Sequence, residues 1–360
     1  MSEHLRKLSP GRIVVLGFAF VILTGSLILW LPISANEGVH VNYIDALFTS
    51  NSAVCVPGLI AVDTADTFNV FGRTVVALLI QIGGLGVTCV GVGFILLAGK
   101  KIGIHGRVLI RDSMNLTTVK GVVALVESIL FMTLLFEGIG AFLSFLVFSR
   151  DYPALDALGI SVFHSVAAFN NSGFDILGGL TNLIPYQDNV LLNLTTCGLI
   201  IFGGLGFLVI REVWAKRSWK KLSLHSKVVI LTSAILLAVG TILLKMTEEI
   251  TWLGALFQST SARTAGFSTY PIGNFSNAGL FVLTILMFLG ASPGSTGGGI
   301  KTTTTFVLVK SMFSAATNRH CSAFKRRIPT EVISQAVIIT ILALRVVCMK
   351  NFLTCLVEPE

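Results

Sequence analysis

Charge is what this chain has least of. Only 12% of its 360 residues are Asp, Glu, Lys or Arg, where soluble globular domains carry roughly 25%. That scarcity removes the solvated surface a soluble protein of this length needs. Paired cysteine chemistry is missing as well. The six cysteines, Cys55, Cys89, Cys197, Cys321, Cys348 and Cys355, form no CxxC pair and share no metal-ligand spacing with histidine. Neither a disulfide scaffold nor a zinc site is indicated, and the cysteines within apolar runs read as small hydrophobes. The formal charge is +8, yet no Lys/Arg run is interleaved with aromatics, so nucleic acid is not an expected partner. No small-residue cleavage site closes the first apolar run, which ends at Trp30-Leu31-Pro32. It reads as a retained span and not as a leader.

What is present is apolar sequence in long runs. Ile13–Leu31, Val75–Leu97, Leu125–Phe148, Val190–Ile210, Val228–Leu244, Leu280–Leu289 and Ile333–Val347 meet or approach the length of a membrane helix, about 20 residues for a hydrocarbon core of about 30 Å. Arg345 and Lys350 crowd the end of the last run. Basic residues fall in four clusters: Arg6, Lys7 and Arg12; Lys100, Lys101, Arg107 and Arg111; Arg211, Lys216, Arg217, Lys220 and Lys221; and Lys301, Lys310, Arg319, Lys325, Arg326 and Arg327. Ser34–Asp45, Asp175–Asn189 and Ala265–Leu280 contain no Lys or Arg. The positive-inside bias then predicts a multi-pass protein of the cell membrane with a cytoplasmic N-terminus.

Each Lys-poor outer stretch holds a short, moderately apolar segment: Tyr43–Ser52, Ala157–Phe169 and Trp252–Thr260. Such segments are too short to cross a bilayer and read as re-entrant half-helices. Each leads to a glycine followed by a large apolar residue, at Gly58-Leu59, Gly173-Phe174 and Gly266-Phe267. Glycine clusters recur in the following apolar runs, at Gln81-Ile-Gly-Gly-Leu-Gly86, Phe202-Gly-Gly-Leu-Gly206 and from Gly290 onward. The repeated unit is span, half-helix, glycine segment, glycine-notched span, and self-similarity on this scale implies pseudo-symmetric packing around an axis. The expected fold is all-α and membrane-integral, a pseudo-fourfold array with its fourth unit incomplete. The units divide at 1–110, 111–222, 223–327 and 328–360.

Irregular backbone at membrane depth is tolerated where it lines a cavity. Carbonyl oxygens can there replace a cation's water shell, and glycine provides the φ > 0 this requires. The candidate filter segments are Val56-Pro57-Gly58, Asn171-Ser172-Gly173 and Thr264-Ala265-Gly266, with Leu59, Phe174 and Phe267 packing outward as braces. Half-helices that end there aim partial negative charge at the path and favour a cation. Asn170 and Asn171 are expected to bond filter backbone. Arg263 reads either as a tie between filter loops or as an electrostatic element near the path. Asp175 reads either as an outer-mouth acid or as a solvated loop acid.

The run Gly290-Ala291-Ser292-Pro293-Gly294-Ser295-Thr296-Gly297-Gly298-Gly299-Ile300-Lys301 cannot form a continuous helix. Its place between an apolar run and a basic cluster predicts an intramembrane gate and not a fourth filter. Lys301 reads as part of that gate or as the cytoplasmic boundary. The run lacks the Gly-x4-Gly-Lys-Ser/Thr spacing of a phosphate loop. His164 and Ser165 adjoin a glycine segment without a third partner, so an enzyme is not expected.

These motifs resemble the Trk/Ktr/HKT superfamily of K⁺ transporters, and most closely the ion-translocating membrane subunit of bacterial Ktr systems. Trp30-Leu-Pro-Ile-Ser34, Asp45-Ala-Leu-Phe48, Val56-Pro-Gly-Leu59, Ala168-Phe-Asn-Asn-Ser-Gly-Phe174, Arg263-Thr-Ala-Gly-Phe267 and Met287-Phe-Leu-Gly290 carry the likeness over nearly the whole chain. The resemblance implies K⁺ uptake through one axial filter with a glycine from each of four repeats, and a gating loop in the third. It also implies a homodimer and a cytosolic nucleotide-binding regulatory ring of RCK type. No cofactor is expected in the chain itself; K⁺ is the ion carried and Na⁺ a candidate coupling ion. Two departures stand out. Pro57 occupies a position where threonine is common and should alter the first filter strand. The fourth unit stops after one span, at Glu360. A truncated, inactive remnant and a monovalent-cation carrier of broader selectivity are therefore the alternative expectations.

Overall fold

The computed structural model describes residues 10–97, 102–113, 120–324 and 326–357. The basic residues Arg6, Lys7, Lys100, Lys101 and Lys325 lie outside the described residues. Apolar runs become helices as the pattern dictates. The first unit contains α1 (Pro10–Trp30), the half-helix α2 (Tyr43–Cys55), and α3 (Val70–Leu85) followed by α4 (Val87–Leu97). The second contains α5 (Val122–Phe148), the half-helix α6 (Ala154–Phe169), α7 (Val190–Leu205) and α8 (Phe207–Lys216). The third contains α9 (Leu224–Thr247), the half-helix α10 (Trp252–Ser261), α11 (Asn277–Phe288) and α12 (Thr302–Ala316), and α13 (Thr330–Val357) follows. Two-residue strands at Ser322–Ala323 and Arg326–Arg327 form a small hairpin before α13.

Among the described residues, α1, α5, α9 and α13 are long and apolar enough to cross a membrane, and two bent helix pairs qualify jointly. Those pairs correct the expectation of notched single spans. The axis turns by 101° between α3 and α4 and by 97° between α7 and α8. Gly86 and Gly206 sit at the two breaks with φ of 82° and 92°, a conformation that favours glycine. The helices after the half-helices start on equivalent caps: Asn69 accepts from Gly72 N, Asn189 from Leu192 N and Ser276 from Gly279 N, each satisfying an otherwise orphaned donor.

One contact recurs three times and sets how each half-helix seats. Ser50 Oγ donates to Ile22 O at 2.7 Å, Ser165 Oγ to Glu137 O at 2.7 Å, and Ser259 Oγ to Leu237 O at 3.0 Å. Next to each bond the crossing helix has a glycine. A Cβ on Gly25, Gly140 or Gly240 would lie 2.6, 2.5 or 2.4 Å from the serine oxygen, and against Leu79, Leu199 or Leu286. Gly140→Val is therefore expected to destabilise the fold by about 1–3 kcal/mol through overpacking. Gly138→Ala, where a Cβ meets nothing within 4 Å, should be neutral or stabilising. Thermal unfolding of the two variants in detergent checks the difference.

The long helix α13 is different. Only 6% of its most apolar window is buried, and Arg345 and Lys350 are exposed along it.

Candidate pore and gate

Three half-helices end at one place. A Cβ on Gly266 would lie 3.3 Å from Gly173 Cα and 3.8 Å from Gly58 Cα, and one on Gly58 would lie 2.5 Å from Ser172 O. The three candidate filter segments thus meet. Their backbones share one pattern of positive φ. Val56, Asn171 and Thr264 have φ of 61°, 57° and 77°, and Gly58, Gly173 and Gly266 have φ of 74°, 71° and 85°. Positive φ is a genuine outlier for β-branched Val56 and Thr264, and strain of this kind persists only where surrounding structure imposes it. Pro57 does not alter the pattern. Alternation of φ sign along a strand turns successive carbonyls toward the same side, as an ion ladder requires.

The braces divide. Phe174 and Phe267 are almost fully buried, whereas Leu59 is 54% exposed. Leu59 therefore packs less tightly than its two counterparts and braces its loop less. Phe267 instead stacks edge-on with His164, whose Nε2 lies 2.9 Å from Thr196 Oγ1. His164 packs between Phe148 and Phe267 on the second half-helix, its ring tied to Thr196.

Asn170 and Asn171 do not bond filter backbone as expected. Asn170 Nδ2 donates to Gln81 Oε1 at 2.8 Å, to Glu137 Oε1 at 3.2 Å and to Val166 O at 2.9 Å. Gln81 Nε2 in turn reaches Glu137 Oε2 at 3.3 Å. The second candidate filter segment is thereby anchored to α3 and α5 through a buried carboxylate that sequence reasoning missed. An acid at the middle of an apolar run was the available signal. Arg263 is also reassigned. Its guanidinium reaches Ser233 O, Ser233 Oγ and Gly290 O at 3.4–3.5 Å, so it joins the third segment to α9 and the glycine run and not to another filter loop. Asp175 is half-buried, accepting from Leu177 N at 3.1 Å and Asn182 Nδ2 at 3.1 Å. It is not a free solvated acid.

The glycine run between α11 and α12 is non-helical and lies against the second and third segments. Thr296 Oγ1 donates to Phe169 O at 3.0 Å and accepts from Asn171 Nδ2 at 2.9 Å. Ser292 N, Thr296 N and Phe207 N complete a backbone dock onto Gly204 O, Gly203 O and Gly294 O. Lys301 Nζ donates to Gly297 O at 2.6 Å, which places Lys301 within the loop's own bonding. A cavity of about 1190 Å³ lies between this loop, Gly83–Gly86 and the start of α8, with Glu212 and His225 on its wall.

Glycines that let each second helix approach its half-helix complete the arrangement. A Cβ on Gly83 would lie 2.0 Å from Val54 O, and one on Gly203 1.9 Å from Phe169 O. In the third unit the corresponding Gly290 faces Gly298 of the inserted loop instead, at 2.2 Å from its oxygen.

Re-entrant half-helices closing on a shared point between apolar spans define a multi-pass membrane protein of pore-loop architecture. The family described as TrkH, Cation transport protein, matches residues 11–253 and 234–359, and the chain belongs to it. It is 37% identical to the potassium/sodium uptake protein NtpJ of Enterococcus hirae, over 93% of this chain and 77% of that one. It is 33% identical to the Ktr system potassium uptake protein B of Bacillus subtilis, over 98% and 81% of the two chains. The fold is similar to the crystal structure of the potassium transporter TrkH from Vibrio parahaemolyticus, with a TM-score of 0.69 and 20% identity, covering 92% of this chain and 68% of that one.

Proposed function

We propose that this chain is a pore-forming subunit for K⁺ transport across the cell membrane. Gly58, Gly173 and Gly266, with the two residues preceding each, coordinate the ion through their carbonyls. The run Gly290–Lys301 is the gate. One observation carries the reading: three glycine segments with the same alternating positive φ converge at the C-terminal ends of three half-helices. A carbonyl-lined, helix-dipole-facing site suits a weakly hydrated monovalent cation. The potassium-uptake names of the relatives support the choice of K⁺, and the sodium in one of those names keeps Na⁺ as a candidate coupled or carried ion. The N-terminus is placed in the cytoplasm on the loop charges. Assembly as a homodimer on a cytosolic nucleotide-binding ring is part of the same proposal and rests on the resemblance; the word "system" in the Ktr relatives' names supports only the presence of further components.

Purified protein in liposomes tests the reading. K⁺ flux is expected above that of empty vesicles, together with a K⁺-dependent rise in unfolding temperature that N-methylglucamine does not produce. Folded protein with neither property would overturn it.

A further inference from the structure

Two of the three glycine segments are pinned by a serine of their own half-helix. Ser52 Oγ donates to Leu59 O at 2.5 Å, and Ser261 Oγ donates to Phe267 O at 2.5 Å. Each carbonyl belongs to the residue just after the segment's glycine. Ser52 lies six residues before Gly58 and Ser261 five before Gly266; at those two spacings before Gly173 the second segment has Ala167 and Ala168. No hydroxyl there can reach Phe174.

A different group braces this segment, and from the outer side. Asn182 Nδ2 donates to Gly173 O at 3.4 Å and to Asp175 Oδ2 at 3.1 Å. Its Oδ1 accepts from Ser268 N at 3.0 Å, just beyond the third segment, and Leu183 N adds a bond to Ser268 O at 3.1 Å. The loop that carries Asn182 also holds the outer flank of the first unit. Leu180 N donates to Asp63 Oδ2 at 2.7 Å and Gly179 N to Asp66 Oδ2 at 3.1 Å. Gly178, Gly179, Leu180 and Asn182 all have positive φ, of 88°, 64°, 55° and 50°. Such a run of left-handed residues, Leu180 among them, is held by its surroundings and is not an idle linker.

We infer that Asn182 is a positioning residue for ion discrimination: Ser172 Oγ ties the second segment to Ala167 O, but no serine holds the carbonyl beyond Gly173, and Asn182 substitutes for that bond from the outer loop. The inference rests on the filter assignment above. Selectivity in a carbonyl site depends on the number, spacing and field strength of its oxygens. Asn182 acts on both spacing and field: it ties the second segment to the third, and its N–H draws on the Gly173 carbonyl itself.

The test compares unfolding temperatures of the full chain in K⁺, Na⁺ and N-methylglucamine. Asn182→Gly removes the amide and suits φ of 50°, so the backbone is not strained by the change. The expected result is a roughly 3- to 10-fold weaker apparent K⁺ affinity and a narrower K⁺ over Na⁺ difference, on top of a fall in unfolding temperature common to all three salts from the lost bonds to Asp175, Leu183 N and Ser268 N. Ala167→Ser in the same background supplies the missing hydroxyl and should restore the K⁺ preference. Leu180→Gly keeps its N–H toward Asp63 and should leave ion discrimination unchanged. An unaltered K⁺ over Na⁺ difference in Asn182→Gly overturns the inference. So does an equal loss of stability in all three salts, which is the mark of a merely structural residue. Gly266→Asp run in parallel separates the two claims. If it retains the K⁺ shift, the filter assignment fails; if it loses the shift while Asn182→Gly keeps it, only the role of Asn182 fails.

Discussion

Gly173→Ala is expected to reduce K⁺ flux to that of empty vesicles and to abolish K⁺-specific stabilisation. The added Cβ would lie 2.6 Å from Ala265 O, 2.8 Å from Gly266 Cα and 2.9 Å from Gly266 C. All three are backbone atoms of the neighbouring filter segment, so no side-chain rotation relieves the contact. The third segment must move, and the carbonyl spacing moves with it. The backbone conformation adds a separate penalty, since φ is 71°. Gly38→Ala isolates that penalty. Gly38 has φ of 78° with nothing within 4 Å of a Cβ, so the substitution should cost only about 1–2 kcal/mol of left-handed strain and leave flux intact. If Gly173→Ala transports K⁺ like the parent chain, Gly173 does not line the path. Gly173→Asp goes further by adding a carboxylate at the same point.

The spans and half-helices were legible in the sequence because they rest on local facts: run length and the loop-by-loop distribution of Lys and Arg. The convergence of Gly58, Gly173 and Gly266 was legible because the same short pattern occurs three times. Bends were not. Gly86 and Gly206 are each flanked directly by apolar residues, Leu85 and Val87 or Leu205 and Phe207, so the residues at the break do not distinguish a tolerated glycine from a turn near a right angle. The Gln81–Glu137–Asn170 network was hidden for another reason. Its members are 33, 56 and 89 residues apart in pairs and meet only once α3 and α5 have packed on the second half-helix. Side-chain direction misled at Asn170, Asn171 and Arg263. Each sits beside a filter glycine in sequence, yet its polar end reaches a neighbouring helix or the glycine run. Asn182 lay in a polar loop, where an asparagine needs no special explanation until the absent hydroxyl at Ala167 is set against Ser52 and Ser261.

Removing Ala291–Gly298 should raise K⁺ flux severalfold if the glycine run is a closed gate. The deletion is geometrically mild. A Cβ on Gly299 would lie 2.6 Å from Gly290 Cα and 3.0 Å from Gly290 N, so the chain ends left by the cut are already neighbours. A trans peptide, whose Cα atoms sit about 3.8 Å apart, joins them with little movement. What the cut removes is the loop packed against the second and third glycine segments. A Cβ on Gly297 would lie 2.7 Å from Thr264 Oγ1 and 3.4 Å from Asn171 Nδ2, leaving no room for an ion between the loop and these side chains. Thr296→Val separates obstruction from attachment. It keeps the loop's bulk but loses the bonds to Phe169 O and Asn171 Nδ2, each of which contributes about 0.5–1.5 kcal/mol. Flux should rise in both variants, and more in the deletion. A rise in the deletion alone would make the loop a plug whose opening does not depend on Thr296. Unchanged flux in a folded deletion variant would mean that the run is a strut under the filter, and the gate would have to be sought elsewhere along the path.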